Sequence, residues 1–210
     1  MMMRKLAVLT LATCLAACKP AADNPGKGGA ADDGAAIPAA PAVPEAKADG
    51  PAAATTAVSL DGEGLRFIDK DSGKASLLAF GAPRAQAEDA LARVAGQADD
   101  RSSNDECGAG PMEFTRYDAM TLNFLDGKFM GWFLGNEPGA DSYTTISGIG
   151  VGTTRAKAGE SVSLVAVEGS TLGEEVTFGS GENVVGAIFA APGNTAKIDA
   201  LFAGANCFFR

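Results

Sequence analysis

The stretch Leu125-Asp126-Gly127-Lys128 predicts a tight β-hairpin near the middle of the chain. Asp-Gly readily adopts the positive backbone dihedrals that a two-residue hairpin turn requires. The pair lies between two runs with strand patterning, residues 119–125 and 128–134. We therefore expect two antiparallel strands joined at this turn, and the neighbouring segments are interpreted outward from them.

The segment before the hairpin predicts two short strands, a helix and a third strand. Leu65 and Phe67 mark the first strand, residues 77–80 the second and residues 112–117 the third. Gly81-Ala82-Pro83 opens the helix, with proline at a favoured first position. The apolar residues of the helix recur at helical spacing and stop at a glycine; they are Ala87, Ala90, Leu91 and Val94, with the stop at Gly96.

The segment after the hairpin repeats this order. A strand over residues 143–147 is followed by a short helix that Thr153 would cap and that Gly159 weakens, and then by strands at residues 174–178, 184–189 and 197–203. We predict an α+β fold with one continuous antiparallel sheet and one or two helices on one face. The two related half-domains would span about residues 64–135 and 143–210. The alternative is that any two α+β halves look alike at this level.

Two short motifs carry a resemblance to known envelope proteins. Residues 81–86 and 152–157 approximate a G-x-(T/S)-x-x-(E/Q) turn entering a helix, with Pro83 and Lys157 departing from it. The globular part thereby resembles the SmpA/OmlA-like outer-membrane assembly lipoproteins and the tandem β-lactamase-inhibitor proteins. The resemblance implies a helix-then-hairpin plan in each half, and no inhibitory or assembly residue is carried over.

The N-terminus has the organisation of an export signal. Arg4 and Lys5 precede an apolar run over residues 6–15, which is shorter than the ~20 residues needed to span a bilayer. The run ends in Leu15-Ala16-Ala17-Cys18, which resembles the lipobox of bacterial lipoproteins.

This resemblance implies a signal peptide over residues 1–17, cleavage before Cys18 and lipidation of Cys18. Lys19 follows, and by the same resemblance a residue other than aspartate there favours the outer membrane, facing the periplasm. The expected location is the bacterial cell envelope, with the protein held to the membrane by its lipid. The alternative is an ordinary secretory signal cut after Ala16 or Ala17, with Cys18 free.

Residues 18–60 are predicted to be the lipidated cysteine and a disordered linker, and residues 61–210 the globular domain. Alanine, proline and glycine dominate the linker, and no aromatic residue precedes Phe67. Such a composition buries too little apolar surface to offset the entropy of ordering.

The cysteines that remain after processing predict one disulfide. Cys14 leaves with the leader and Cys18 carries the lipid, so Cys107 and Cys207 are the two thiols left in an oxidising compartment. A reactive thiol is the alternative, which neither a C-x-x-C spacing nor a histidine supports.

Composition argues against several function classes. The chain of 210 residues carries a net charge of −9 and has no basic run, so we predict no nucleic-acid partner. It contains no histidine, which removes the commonest general base and metal ligand. No catalytic residue, metal site or cofactor is predicted. A cell-envelope enzyme using carboxylate or lysine chemistry stays open as an alternative.

Two further stretches are candidate sites. Residues 148–152 are glycine-rich, but their third glycine comes one residue early for a dinucleotide fingerprint, so we predict a turn and no nucleotide. Trp132 and Met130 would share one strand face as an interaction site, with Phe129 and Phe133 serving the core; core packing of Trp132 is the favoured alternative. The predicted function is a non-catalytic binding module with an envelope protein or a cell-wall component as partner, and a purely structural spacer is a third hypothesis.

Overall fold

A computed structural model describes residues 55–208. The predicted signal peptide, Cys18 and most of the predicted linker lie outside the described residues. The described part is an α+β domain with twelve strands, two α-helices and one turn of 3₁₀ helix. In chain order the elements are β1 Thr56–Asp61, β2 Gly64–Asp69, β3 Ala75–Ala79, α1 Arg84–Ala95, β4 Asp100–Asn104, β5 Met112–Tyr117, β6 Met120–Leu125, β7 Lys128–Leu134, the 3₁₀ turn Ala140–Ser142, β8 Thr144–Thr145, α2 Arg155–Ser161, β9 Val165–Ala166, β10 Glu174–Ser180, β11 Asn183–Phe189 and β12 Ile198–Gly204.

Eight strands form one antiparallel sheet in the order β4-β5-β6-β7-β12-β11-β10-β9. The predicted hairpin joins β6 to β7, and its turn residues Asp126 and Gly127 have φ values of 50° and 69°. Strands β7 and β12 pair at the centre of the sheet, with Phe133 opposite Phe202. The strand that ends the β4–β7 meander thus meets β12, the last strand of the described residues.

A second sheet corrects the expectation of one continuous sheet. It has the order β3-β2-β1-β8, and β8 joins β1 in parallel through Ser59↔Thr144 and Leu60↔Thr145. Val58 and Leu60 of this sheet belong to the same buried core as Trp132 of the large sheet. The Trp132 indole Nε1 donates a hydrogen bond of 2.9 Å to the Asp61 carbonyl oxygen, which ties the two sheets together.

Strand β1 also corrects the predicted end of the linker at residue 60. Thr56–Asp61 pairs along its whole length with β2, from Thr56↔Asp69 to Asp61↔Gly64. Its apolar side chains alternate, so Val58 and Leu60 both enter the core. Alanine and threonine precede these two residues, so the sequence shows no clear strand pattern there. Strand β1 begins at Thr56, before the predicted boundary.

A bulge in β7 changes the predicted faces of Trp132 and Phe133, whereas Phe129 lies in the core as predicted. The β6–β7 register shifts between Asn123 and Phe124, where Asn123 faces Gly131 and Phe124 faces Phe129. The extra residue is Met130, so Phe129 and Trp132 both reach the core. The prediction that Phe133 serves the core is wrong, because Phe133 lies on the opposite side of the sheet.

Both helices contribute to the core on the same side of the large sheet. Ala87 and Leu91 of α1 and Ala158 of α2 are fully buried. Pro83 is the N-cap of α1 instead of its first residue, and Gly96 ends the helix with φ of 85°. Thr154, one residue after the predicted cap, accepts a hydrogen bond from the Lys157 backbone N–H at the start of α2.

The C-terminal segment, residues 205–208, returns across the side of the sheet away from the helices. The Ala205 carbonyl oxygen accepts a hydrogen bond of 2.9 Å from the Asn123 side-chain amide. The Phe208 ring lies edge-on to Phe202, with the ring centroids 4.8 Å apart. Cys207 then forms a disulfide with Cys107, 100 residues earlier, with the Cα atoms 4.9 Å apart. The structure thus contains the predicted pairing, and this disulfide links the C-terminal segment to the β4–β5 loop.

Removing this disulfide is expected to destabilise the domain by up to ~4.7 kcal/mol, because a loop of about 100 residues would no longer be closed in the unfolded chain. Urea unfolding of the full chain, wild type against the Cys107→Ser, Cys207→Ser double variant, measures the loss. Adding a reductant should lower the midpoint of the wild type and leave that of the double variant unchanged. Equal midpoints for the two oxidised proteins would contradict the expectation.

Candidate functional site

Arg84 lies at the centre of a cluster of polar side chains between α1 and the large sheet. Its Nε lies 2.9 Å from Glu88 Oε1, and its Nη1 lies 2.9 Å from Glu113 Oε1. Its Nη2 donates to Thr115 Oγ1 at 3.1 Å, and its guanidinium carbon lies 4.8 Å from the centroid of the Phe124 ring. Each nitrogen of this guanidinium therefore has an oxygen acceptor.

Glu88 accepts hydrogen bonds from three side chains in the same cluster. Besides Arg84, Arg101 binds it through two nitrogens at 3.1 and 3.2 Å, and the Thr115 hydroxyl donates at 2.6 Å. Burial opposes ionisation of the carboxyl, which is only 18% exposed, but the three donors outweigh it. The pKa of Glu88 falls to about 2 as a result.

Arg155 has a matching place in the second half of the domain. Like Arg84 it is the first residue of its helix, and its guanidinium carbon lies 4.1 Å from the centroid of the Phe189 ring. Its Nη2 lies 2.9 Å from Glu174 Oε2 at the start of β10, as Arg84 pairs with Glu113 near the start of β5. Within residues 55–208, however, the buried Arg155 Nε has no hydrogen-bond partner.

The backbone around the two arginines is bonded in the same pattern. Gly81 N–H donates to the Phe129 carbonyl at 2.7 Å, and Gly152 N–H donates to the Ile198 carbonyl at 2.8 Å. The residues just before the arginines bridge to corresponding lysines, in the pairs Pro83↔Lys128 and Thr154↔Lys197. The bulge at Met130 also has a counterpart, because the β11–β12 register shifts between Ile188 and Phe189.

A shallow groove of about 690 Å³ adjoins α2. Its wall includes Arg155, Gly159, Ser161, Ser163 and Asn194. A Cβ atom placed on Gly159 would meet no atom within 4 Å, so the groove is open above this position. The corresponding position in α1, four residues after the arginine, is occupied by Glu88.

A second cavity, of about 380 Å³, lies between β1, the end of α1 and the 3₁₀ turn. Lys70, Asp118 and Tyr143 all line it. Burial, with a smaller contribution from Asp118, raises the pKa of Tyr143 to about 12, so its phenol stays protonated at neutral pH. Because a lysine and a carboxylate both line this cavity, it is a candidate place for the carboxylate or lysine chemistry of the enzyme alternative.

The side of the large sheet away from the helices has an apolar centre, here called the open face. Cross-strand pairing places Thr121, Phe133, Phe202 and Gly186 in one row across it. Val184, two residues before Gly186, lies on the same side and is 37% exposed. A small cavity of about 220 Å³ indents this face beside the C-terminal segment, among Phe114, Phe133 and Phe208.

Of the two predicted interaction residues, Trp132 does not lie on the open face. Trp132 is 0% exposed and packs in the core, which was the favoured alternative. Met130 is half-buried at the bulge, where its carbonyl oxygen accepts from Ala205 N–H at 2.8 Å. Residues 148–152 form the turn between β8 and α2, with positive φ at Gly148 and Gly152, as the sequence predicts.

Arg84 and Arg155 were missed as site residues, although both lie in the two aligned motifs. Arg84 and Glu88 are an i, i+4 pair on α1, a spacing that the sequence does show. Glu113 and Glu174 come from strands, and the sequence does not show which arginine each of them meets. The described residues include no cluster of three or more histidine, cysteine or acidic side chains arranged to hold a metal. Between residues 55 and 208, neither helix has the length and apolar character needed to cross a bilayer.

Comparison with protein-family models, with curated protein sequences and with solved structures finds no match to this chain.

Glu88→Gln is expected to cost about 1 to 3 kcal/mol of unfolding free energy at pH 7, because two arginines lose a partly buried, charged acceptor. The Glu88 pKa is depressed from 4.5 to about 2, so its stabilisation is complete above pH 4.5 and disappears as the pH falls towards 2. Urea unfolding of wild type and variant between pH 2.5 and 7 should show the two converging at low pH.

Glu160→Gln is the matched control, because Glu160 pairs with Lys157 on an exposed surface of α2. Its expected cost is below about 0.5 kcal/mol at any pH. A Glu88 variant whose deficit stays constant from pH 7 to pH 2.5 would argue against the role given to this carboxylate.

Proposed function

We propose that the chain is a lipid-anchored lipoprotein of the bacterial cell envelope that acts by binding another envelope protein. The lipobox-like Leu15-Ala16-Ala17-Cys18 supports the anchor and the location at the outer membrane, facing the periplasm. The Cys107–Cys207 disulfide agrees with an oxidising compartment. The segment between Cys18 and β1 would then act as a tether between lipid and domain.

The open face of the eight-stranded sheet is the observation that carries the binding role. Its centre is apolar: Phe133 is half-buried, Phe202 is 8% exposed beside the Phe208 ring, and Val184 on the next strand is exposed. Polar side chains border it, including Arg116 on β5 and Thr177 on β10. An apolar centre with a polar rim is the usual anatomy of a protein–protein interface.

We also propose that the domain consists of two related halves. Corresponding hydrogen bonds, bridges and bulges surround Arg84 and Arg155, and each arginine stacks on a phenylalanine and pairs with a glutamate. Each arginine begins a helix, and four strands follow that helix in the same order in both halves. These correspondences support the resemblance to SmpA/OmlA-like and tandem β-lactamase-inhibitor proteins as a proposal about architecture.

The anchor is tested by fractionation of cells that express the full chain. Wild type is expected in the outer-membrane fraction with a mass increase from acylation, and Cys18→Ser in the soluble periplasmic fraction or uncleaved. Cys14→Ser is the matched control, since it changes a leader cysteine and should leave the membrane fraction unchanged. A Cys18→Ser protein that is processed and still acylated would contradict the proposal.

The open face is tested with a pair of valine variants of the full chain. Val184→Glu places a charge on this face, whereas Val165→Glu places one on β9, where Val165 is 60% exposed. A stoichiometric envelope protein should co-purify with wild type and with Val165→Glu, and its yield should fall at least tenfold with Val184→Glu.

Equal recovery with both variants would contradict a role for the open face. Hydrolysis of peptidoglycan or polysaccharide by the full chain would instead favour the enzyme alternative. The Lys70→Met variant then decides whether the cavity beside Tyr143 is responsible.

A further inference from the structure

The two arginine clusters differ in how completely they are satisfied. All three nitrogens of Arg84 have oxygen acceptors, from Glu88, Thr115 and Glu113. In the described range, Arg155 keeps the glutamate and the ring but lacks an acceptor at its buried Nε. The second cluster is therefore an incomplete version of the first.

Two substitutions between the halves explain the missing acceptor. Glu88 is four residues after Arg84, and the residue four after Arg155 is Gly159. Thr115 is two residues after Glu113 on β5, and the residue two after Glu174 on β10 is Val176, which is buried. Both oxygen-bearing side chains are thus replaced by residues without an acceptor.

Gly159 has no side chain where α1 carries Glu88, so α2 has open space at this position as well as an unpaired donor. The groove beside α2, about 690 Å³ in volume, is lined by both Arg155 and Gly159. No atom lies within 4 Å of a Cβ built on Gly159. A buried donor without a partner is rare in folded proteins because its desolvation is not compensated. An oxygen-bearing group from outside the domain would meet this donor where Glu88 meets Arg84.

The geometry points to a ligand site in this groove that takes the carboxylate of a short peptide, bound by Arg155 where α1 supplies its own Glu88. The planar guanidinium matches a carboxylate with two parallel N–H donors. Its side chain is 19% exposed, and Nε itself is covered. Because Nε is covered, binding of the carboxylate requires the Arg155 side chain to turn towards the groove.

The remaining groove wall fits the rest of a peptide. Ser161, Ser163 and Asn194 contribute hydroxyl and amide groups along it, and these hydrogen-bond peptide N–H and carbonyl groups. The site lies on the helix side of the sheet, opposite the open face. The proposal is thus independent of the partner proposed for that face, and either can fail alone.

The test is a titration of the ¹⁵N-labelled full chain in detergent micelles, followed through the Arg155 Nε–H resonance. Three acetylated tetra-alanine peptides distinguish the source of the carboxylate: one with a free C-terminus, one amidated with a glutamate at its third position, and one amidated and neutral. We expect a saturable shift of the Arg155 resonance with one or both acidic peptides and none with the neutral one. The Arg84 Nε–H resonance, already bonded to Glu88, should not move.

Gly159→Glu and Gly159→Ala form the matched pair of variants. The glutamate restores the acceptor found in α1 and should weaken peptide binding at least tenfold, whereas the alanine only favours the helix and should leave the affinity within twofold of wild type. The proposal is overturned if neither acidic peptide shifts Arg155, if the neutral peptide shifts it equally, or if both Gly159 variants bind alike.

Discussion

The pairing of β7 with β12 is the contact on which the rest of the domain depends. It joins Leu134 to Leu201 and Phe133 to Phe202, residues far apart in sequence, and so makes one sheet of eight strands from two sets of four. Leu134 and Leu201 then lie in the core under the helices, while the two phenylalanines lie on the open face. The same ladder therefore positions the core on one side and the proposed interface on the other.

Local signals in the sequence were sufficient to predict many of the strands of the large sheet. The turn at Asp126-Gly127 restricts the backbone so strongly that β7 was predicted with its observed bounds, and the helix stop at Gly96 was predicted for the same reason. Features that depend on pairing between segments far apart in the sequence could not be predicted from local signals. The bulge at Met130 changed which aromatic residues face the core, and no local pattern indicates a bulge. The parallel pairing of β1 with β8 joins segments about 85 residues apart in the chain.

The candidate sites, too, could be predicted only as far as short stretches of sequence determine them. The two arginines were visible in the aligned motifs, but their difference depends on which strand residues face them. Glu88 and its counterpart Gly159 lie four residues after the arginines, a spacing that the sequence shows. Thr115 and its counterpart Val176 lie on strands, and their correspondence depends on the strand registers. Where one half is satisfied internally and the other is not, the unsatisfied half is the better place to look for a ligand.

The disulfide also determines how the domain responds to mechanical load. A pull between its two ends can extend the chain only up to Cys107, because the 100 residues from there to Cys207 form a covalently closed loop. At roughly 3.3 to 3.6 Å per residue, about 340 Å of contour length is thereby withheld from extension. Both central strands, β7 and β12, lie inside that loop. If tension reached the domain from a membrane anchor through its N-terminus, it could detach β1 to β4 but could not stretch out the segment that contains the open face.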